Sequence, residues 1–292
     1  MNSKFSKLAV FAIMCAFVLL WGSAAIFTRW ALDHSSVFAV LILRFSLALG
    51  ALLLIGLRGR RWLPKPGTRW QVAGVGLLLI GCYSVCYFQA MAHGITPGLL
   101  ATLMGVQPVL TLLLTERRFS SWRLLGLLLA LGGLVLVVFQ SLVMARLSVL
   151  GMLFALGALL CITFGTLLQK RIQQPSIEVL PLQYLATLVL CLCFVPFQPF
   201  HFELNLSFII PLLWLGLVIS VGSQLLLYRM IRSGNLVNVT SLFYLVPVVT
   251  VILDFVILGN VMPLLAIAGM VAVLTGLVLV FRIQPPNTER PQ

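Results

Sequence analysis

Two ionisable side chains lie inside long apolar runs, and chemistry would begin with them: Arg44 in the run 37–57 and Asp254 in the run 236–258. A charge at the centre of a membrane helix costs roughly 2.5–3.5 kcal/mol unless it is paired or hydrated, so an intramembrane charge marks a candidate site. At about 1.5 Å per helical residue, Arg44 would sit about 10 Å below the outer end of its segment and Asp254 about 6 Å below its own. Those depths suit an ion pair or a shared aqueous cavity. There Arg44 would hold an anionic group of a small-molecule substrate, and Asp254 would pair with Arg44 or carry a coupling proton. The alternative is that each side chain reaches back to the interface and does little.

Polar and aromatic residues in neighbouring runs could complete such a pocket. Trp21, Tyr87, Gln89, Gln107, Tyr184, Gln224 and Tyr244 are the substrate-binding candidates, because a small-molecule site is mostly apolar with a few placed polar groups. Taken singly, each is more simply an interhelical hydrogen bond or a packed ring. Pro108 and Pro247 are candidate hinges, since proline frees a backbone carbonyl and kinks a helix, which suits a cavity wall. The alternative is a tolerated kink. Gly126 and Gly133, matched by Gly269 and Gly276, put small residues on one helix face; they read as packing surfaces, for scaffold helices or for the seam of a homodimer.

Other chemistry finds no support. The 3 histidines and 6 carboxylates are scattered, so neither a catalytic set nor a metal site is expected. The 6 cysteines all lie in apolar segments and read as small hydrophobes. A phosphate-binding loop with Lys and Ser/Thr is absent, which argues against direct ATP drive. No cofactor and no enzymatic activity are expected.

The elements that must position these residues are membrane helices. The chain is 61% hydrophobic and 9% charged over 292 residues, which indicates a polytopic membrane protein. Runs near the 20 residues needed to span a bilayer fall at 8–27, 37–57, 70–92, 95–115, 122–142, 148–169, 179–198, 208–230, 236–258 and 263–282. Lys4 and Lys7 before an apolar core resemble a signal peptide, but the run 8–27 is long for one and is expected to be a retained helix. The net charge of +13 does not imply nucleic acid, because the Lys and Arg residues lie between apolar segments rather than on one basic face. With the N-terminus inside, every Lys and Arg except Arg29, Arg44 and Arg146 falls on the cytoplasmic side. Under the positive-inside rule both termini are therefore cytoplasmic. Trp30, Trp62, Trp70 and Trp122 fall near segment ends as interfacial anchors. Glu116 is expected to end the fourth segment at the cytoplasmic surface, with Arg123 among the charges of that side.

The segments repeat. Met91 aligns with Met230, Pro108 with Pro247 and Thr111 with Thr250 at one spacing. Past the hinge the spacing lengthens by about one helical turn, so that the run 133–137 matches 276–280. Trp21-Gly22 is echoed by Phe164-Gly165. The expected units are 6–142 and 148–283, followed by a disordered cytoplasmic tail, 284–292. With an odd number of segments in each, the halves enter the membrane in opposite directions. Inverted repeats of this kind build secondary transporters with a site near the midplane, between the repeats.

Trp21-Gly22, the triplet Leu43-Arg44-Phe45, Pro108 with Thr115-Glu116-Arg117, and Gly126 with Gly132-Gly133-Leu134 resemble the EamA family of the drug/metabolite transporter superfamily. The resemblance covers the whole chain as two units. It implies a basket of ten helices around a central cavity and movement of small metabolites by alternating access, often outward. One departure is that the helix-end acid, Glu116 in the first half, is Asn260 in the second. The expected protein is an all-α, multi-pass carrier of the bacterial inner membrane that exports amino acids, related metabolites or drugs. A channel-like facilitator, a non-transporting scaffold and a membrane enzyme are the alternatives.

Overall fold

A computed structural model describes residues 2–56, 63–116, 119–139, 143, 148–198, 200–249, 252 and 263–282. Asp254, Thr250, Asn260, Arg146 and the tail 284–292 lie outside the described residues, as do the predicted ends of the fifth and ninth segments. Among the described residues there are ten helical segments. They are α1 (Asn2–Leu32), α2 (Val37–Gly56), α3 (Arg69–Ala92), α4 (Pro97–Thr115) and α5 (Ser121–Val137), then α6 (Val149–Arg171), α7 (Ser176–Phe194), α8 (Leu206–Ser233), α9 (Leu236–Val249) and α10 (Leu264–Arg282). Eight are long and apolar enough to cross a membrane, whereas Ser121–Val137 and Leu236–Val249 are shorter. No sheet forms among the described residues, only an isolated bridge between Ser35 and Phe202.

Local chemistry sets the ends. Thr96, Ser148, Asn205 and Asn235 each cap a helix by accepting a backbone N–H three residues on, at 3.3, 3.2, 2.9 and 3.2 Å. Pro97 takes the first helical position of α4, where no N–H is needed. At the end of α3, Gly94 adopts φ 86° while its N–H bonds Met91 and that of Ile95 bonds Ala90. This is the glycine-terminated cap that reverses the chain into α4.

The connections gather on two faces. On the terminal face, where α1 begins and α10 ends, Gln174 accepts from the Lys65 N–H at 2.8 Å and donates to Thr68 at 2.9 Å. The opposite, far face joins the α1–α2 and α7–α8 turns, with His34 and Glu203 2.9 Å apart. That hydrogen bond holds the exposed Glu203 carboxyl below the usual carboxylate range. A depressed acid contributes at neutral pH and loses its contribution as pH falls through the lowered value.

Leu150, Leu153, Leu156, Leu160 and Phe164 form an exposed apolar stripe along α6. Helical spacing of that kind on an outer face fits lipid contact. The core divides in two. The larger part joins α1, α2, α3, α6, α7 and α8; the smaller lies between α5 and α10, with Leu112, Val237, Tyr244 and Val248 from α4 and α9. Gly126 meets Gly276, and Gly133 meets Gly269, at that second interface. The glycine faces are thus occupied within the chain, where α5 and α10 form the most extensive helix pair.

Among the described residues, departures from regular α geometry inside the wall helices come in matched pairs. The segments Leu77–Cys82 in α3 and Trp214–Ser223 in α8 are wide π turns. In α4 the helix loosens between Met104 and Gln107, just before Pro108, and in α9 it tightens to a 3₁₀ turn at Leu242–Tyr244, just before Pro247. A proline deprives the residue four positions earlier of its hydrogen bond, which accounts for the second pair. Irregular backbone of this kind persists inside a membrane only where it is buried in protein or lines a cavity.

Candidate functional site

The irregular turns surround a cavity of about 1050 Å³, its open mouth included. Its wall is mostly aromatic and apolar: Trp21 from α1, Tyr83, Tyr87 and Phe88 from α3, Tyr184 from α7 and Phe243 from α9. The polar groups are Thr28, Arg44, Ser84, Gln107 and Gln224. Thr28 and Pro97, near helix ends at the far face, also line it. On α4 the lining residue nearest the terminal face is Gln107, which is 1% exposed and whose side chain reaches Thr166 at 3.5 Å.

Arg44 is the cation of this wall among the described residues. Its Nε donates to the Ser220 hydroxyl at 2.7 Å, and its guanidinium carbon lies 5.5 Å from the Phe45 ring centre and 5.8 Å from that of Phe88. Among the described residues the two terminal guanidinium nitrogens have no hydrogen-bond partner. The wide turn in α8 creates this arrangement. Ser220 donates to the Leu215 carbonyl, five residues back, at 2.8 Å. Its own backbone carbonyl accepts from the Tyr184 hydroxyl. One residue therefore fixes both Arg44 and Tyr184, leaving the outer edge of the guanidinium turned to the cavity. A planar guanidinium with two free nitrogens suits a carboxylate or phosphate.

Of the residues singled out in the sequence, Trp21, Arg44, Tyr87, Gln107, Tyr184, Gln224 and Pro247 meet at this cavity. Gln89, Tyr244 and Pro108 do not line it. Gln89 is buried on α3, where its carbonyl partners the His93 ring at 2.8 Å. Tyr244 is fully buried in the smaller core, its hydroxyl without a partner among the described residues. Pro108 is buried next to Gln107. Asp254, the proposed partner of Arg44, lies outside the described residues. Ser84, Phe88, Thr28 and Phe243 were not singled out, because nothing in their types marks which face of a helix turns inward. Ser220 is one hydroxyl in an apolar run, and its role depends on the wide turn.

Glu116 ends α4, as the sequence leads one to expect, and the structure adds a buried partner: Arg123 is 1% exposed and bonds Glu116 at 2.5 Å. It also donates to the side-chain oxygens of Asn235 and Asn238, each at 2.8 Å. Arginine suits such burial because it presents five donors in a fixed fork.

An all-helical, multi-pass membrane protein whose wall helices break around a cavity holding an arginine is the class that fold and site define. The profile of the EamA-like transporter family matches residues 7–139 and 149–282, and the chain belongs to that family, with two repeats. Its members are generally transporters. The fold is also similar to that of a protein of known crystal structure, with a TM-score of 0.77 and 23% identity over 93% of this chain and 96% of the other. No curated protein sequence matches the chain.

Proposed function

We propose that the protein is a secondary carrier of small organic anions, with ten membrane crossings, both termini in the cytoplasm of a bacterial cell, and export by alternating access. The observation that carries this reading is Arg44, held by Ser220 with its outer nitrogens turned into a cavity lined by helices of both repeats. A guanidinium among aromatic rings recognises a carboxylate on an apolar or aromatic body. The matched wide turns and proline breaks supply places where wall helices can change shape without breaking regular helix elsewhere.

The direct test is counterflow in proteoliposomes, with labelled amino acids and simple aromatic monocarboxylates as probes. Saturable uptake driven by unlabelled probe inside is expected for at least one anionic probe and not for cationic analogues. Flux that rises without saturation would make the protein a channel, and absence of exchange with every probe would defeat the carrier reading.

Asp254, four residues from the end of the apolar run 236–258 in the sequence, is proposed to carry the coupling proton. Asp254→Asn is then expected to abolish the stimulation of counterflow by an imposed pH gradient. If the variant responds to the gradient as the unmodified protein does, the proton role is wrong.

A further inference from the structure

The cavity reaches towards the far face, and what closes the terminal side is polar. From α4, Gln107 forms the floor, Thr111 lies fully buried one turn beyond it, and Glu116 follows at the helix end. Arg123, from the start of α5, then connects three side chains. One terminal nitrogen donates to Glu116 Oε1 at 2.5 Å, and the other to Asn235 and Asn238 at 2.8 Å each. Asn235 also caps α9, accepting from the Asn238 N–H at 3.2 Å, so the network holds the first turn of that helix. Beside it, Lys170 from α6 donates to the Gly234 carbonyl at 2.7 Å and to that of Arg232 at 3.1 Å, tying down the α8–α9 turn.

Two properties set this cluster apart from an ordinary buried ion pair. First, it crosses the line between the repeats: Glu116 and Arg123 belong to the first matched unit, Asn235 and Asn238 to the second. Secondly, it is incompletely satisfied, since Glu116 Oε2 and Arg123 Nε are buried with no partner among the described residues. A contact evolved only for stability would be better replaced by apolar packing, because two desolvated charges recover their hydration only with full pairing. Such a cluster suits a contact that forms in one state and is hydrated in another.

Resting on the carrier reading above, we infer that Glu116, Arg123, Asn235 and Asn238 form the gate on the terminal face. Closed, the gate holds α4 and α5 against α9 on the terminal side of a cavity that reaches towards the far face. Opening it separates the repeats at this face, lets water reach the two charges, and exposes the cavity floor from the terminal side. The charges give the closed form strength, and their hydration makes the open form accessible.

Thr111→Cys places a reporter thiol between floor and gate. In proteoliposomes, a membrane-impermeant charged maleimide is supplied from either face, and modification at position 111 is read by peptide mass spectrometry, which separates it from the native cysteines. With the gate intact, reaction from the terminal face is slow. In Thr111→Cys with Glu116→Gln it should rise about tenfold, the change in closed-to-open ratio expected when a charge-assisted hydrogen bond becomes a neutral one. An unchanged rate, or an equal rise from both faces, overturns the gate. Should Glu116→Gln not fold, Glu116→Cys with Asn235→Cys, joined by a short bifunctional thiosulfonate, gives the second test. Counterflow should stop on cross-linking and return on reduction, and continued exchange in the cross-linked protein overturns the gate. Failure of the carrier reading is distinguishable: the unmodified protein then exchanges no probe, while the reporter thiol still responds to Glu116→Gln.

Discussion

Arg44→Ala is expected to raise the half-saturation concentration for an anionic probe about 10–100-fold while the protein still folds. The size follows from what the guanidinium supplies. A hydrogen bond to a charged group contributes about 1.5–3 kcal/mol, and each 1.4 kcal/mol is about tenfold in affinity. Folding should not suffer, because removing a cation from the membrane interior relieves a desolvation cost. The cost left behind is small: the Ser220 hydroxyl keeps the Leu215 carbonyl as acceptor at 2.8 Å. Arg44→Lys should fall between, since an ammonium is a point charge that cannot bond Ser220 and present a planar fork at once. Ser220→Ala keeps the charge but releases its orientation, and a loss of only several-fold is expected, the effect of one neutral bond of about 1 kcal/mol. Counterflow across this series, with melting temperature measured alongside, decides the matter. An unchanged half-saturation concentration in Arg44→Ala would remove Arg44 from substrate recognition.

The second large effect falls on stability, at the α5–α10 contact. A Cβ added at Gly133 would lie 2.6 Å from the Gly269 carbonyl oxygen, 2.7 Å from the Val273 nitrogen and 2.9 Å from Ala272 Cβ. Two of these are backbone atoms, which cannot swing aside as a flexible side chain could. Relief requires the helices to part, and with lipid as apolar as leucine, close packing is what holds such helices together. Gly133→Ala is therefore expected at the upper end of the 1–3 kcal/mol range typical of overpacking, with Gly133→Val worse. Gly132 is the matched control: nothing lies within 4 Å of its added Cβ. Gly132→Ala should be neutral or slightly stabilising, because alanine is the better helix former by about 1 kcal/mol. Thermal melting in detergent compares them, and equal melting of the two alanine variants would mean that α5 and α10 do not pack as described.

Much of the architecture could be read without coordinates, for a physical reason. Transfer of a side chain into lipid depends mainly on its own chemistry, so each apolar run announces a helix independently of the rest of the chain. Pro108 and Pro247 are similar: the bond a proline cannot donate is lost wherever the helix sits, and the disturbed turns appear just upstream of both. The repeat, being sequence similarity, was equally accessible.

The site required tertiary structure. Whether Tyr87 or Gln89 turns to the cavity depends on rotation about one helix axis, and the wide turn at Leu77–Cys82 shifts the register just before them. Ser220, which holds Arg44, comes from α8, and Asn235 and Asn238, which hold Arg123 together with nearby Glu116, come from α9, separated by most of a repeat or more in sequence. Nothing in Ser220, Asn235 or Asn238 as residue types foretells those pairings. Sequence alone determined that the chain forms apolar helices in two related sets, because hydropathy and proline act locally. Only the tertiary structure decided that Arg123 is buried and that Ser220 holds Arg44, because hydrogen-bond geometry belongs to pairs of side chains, and folding chooses the pairs.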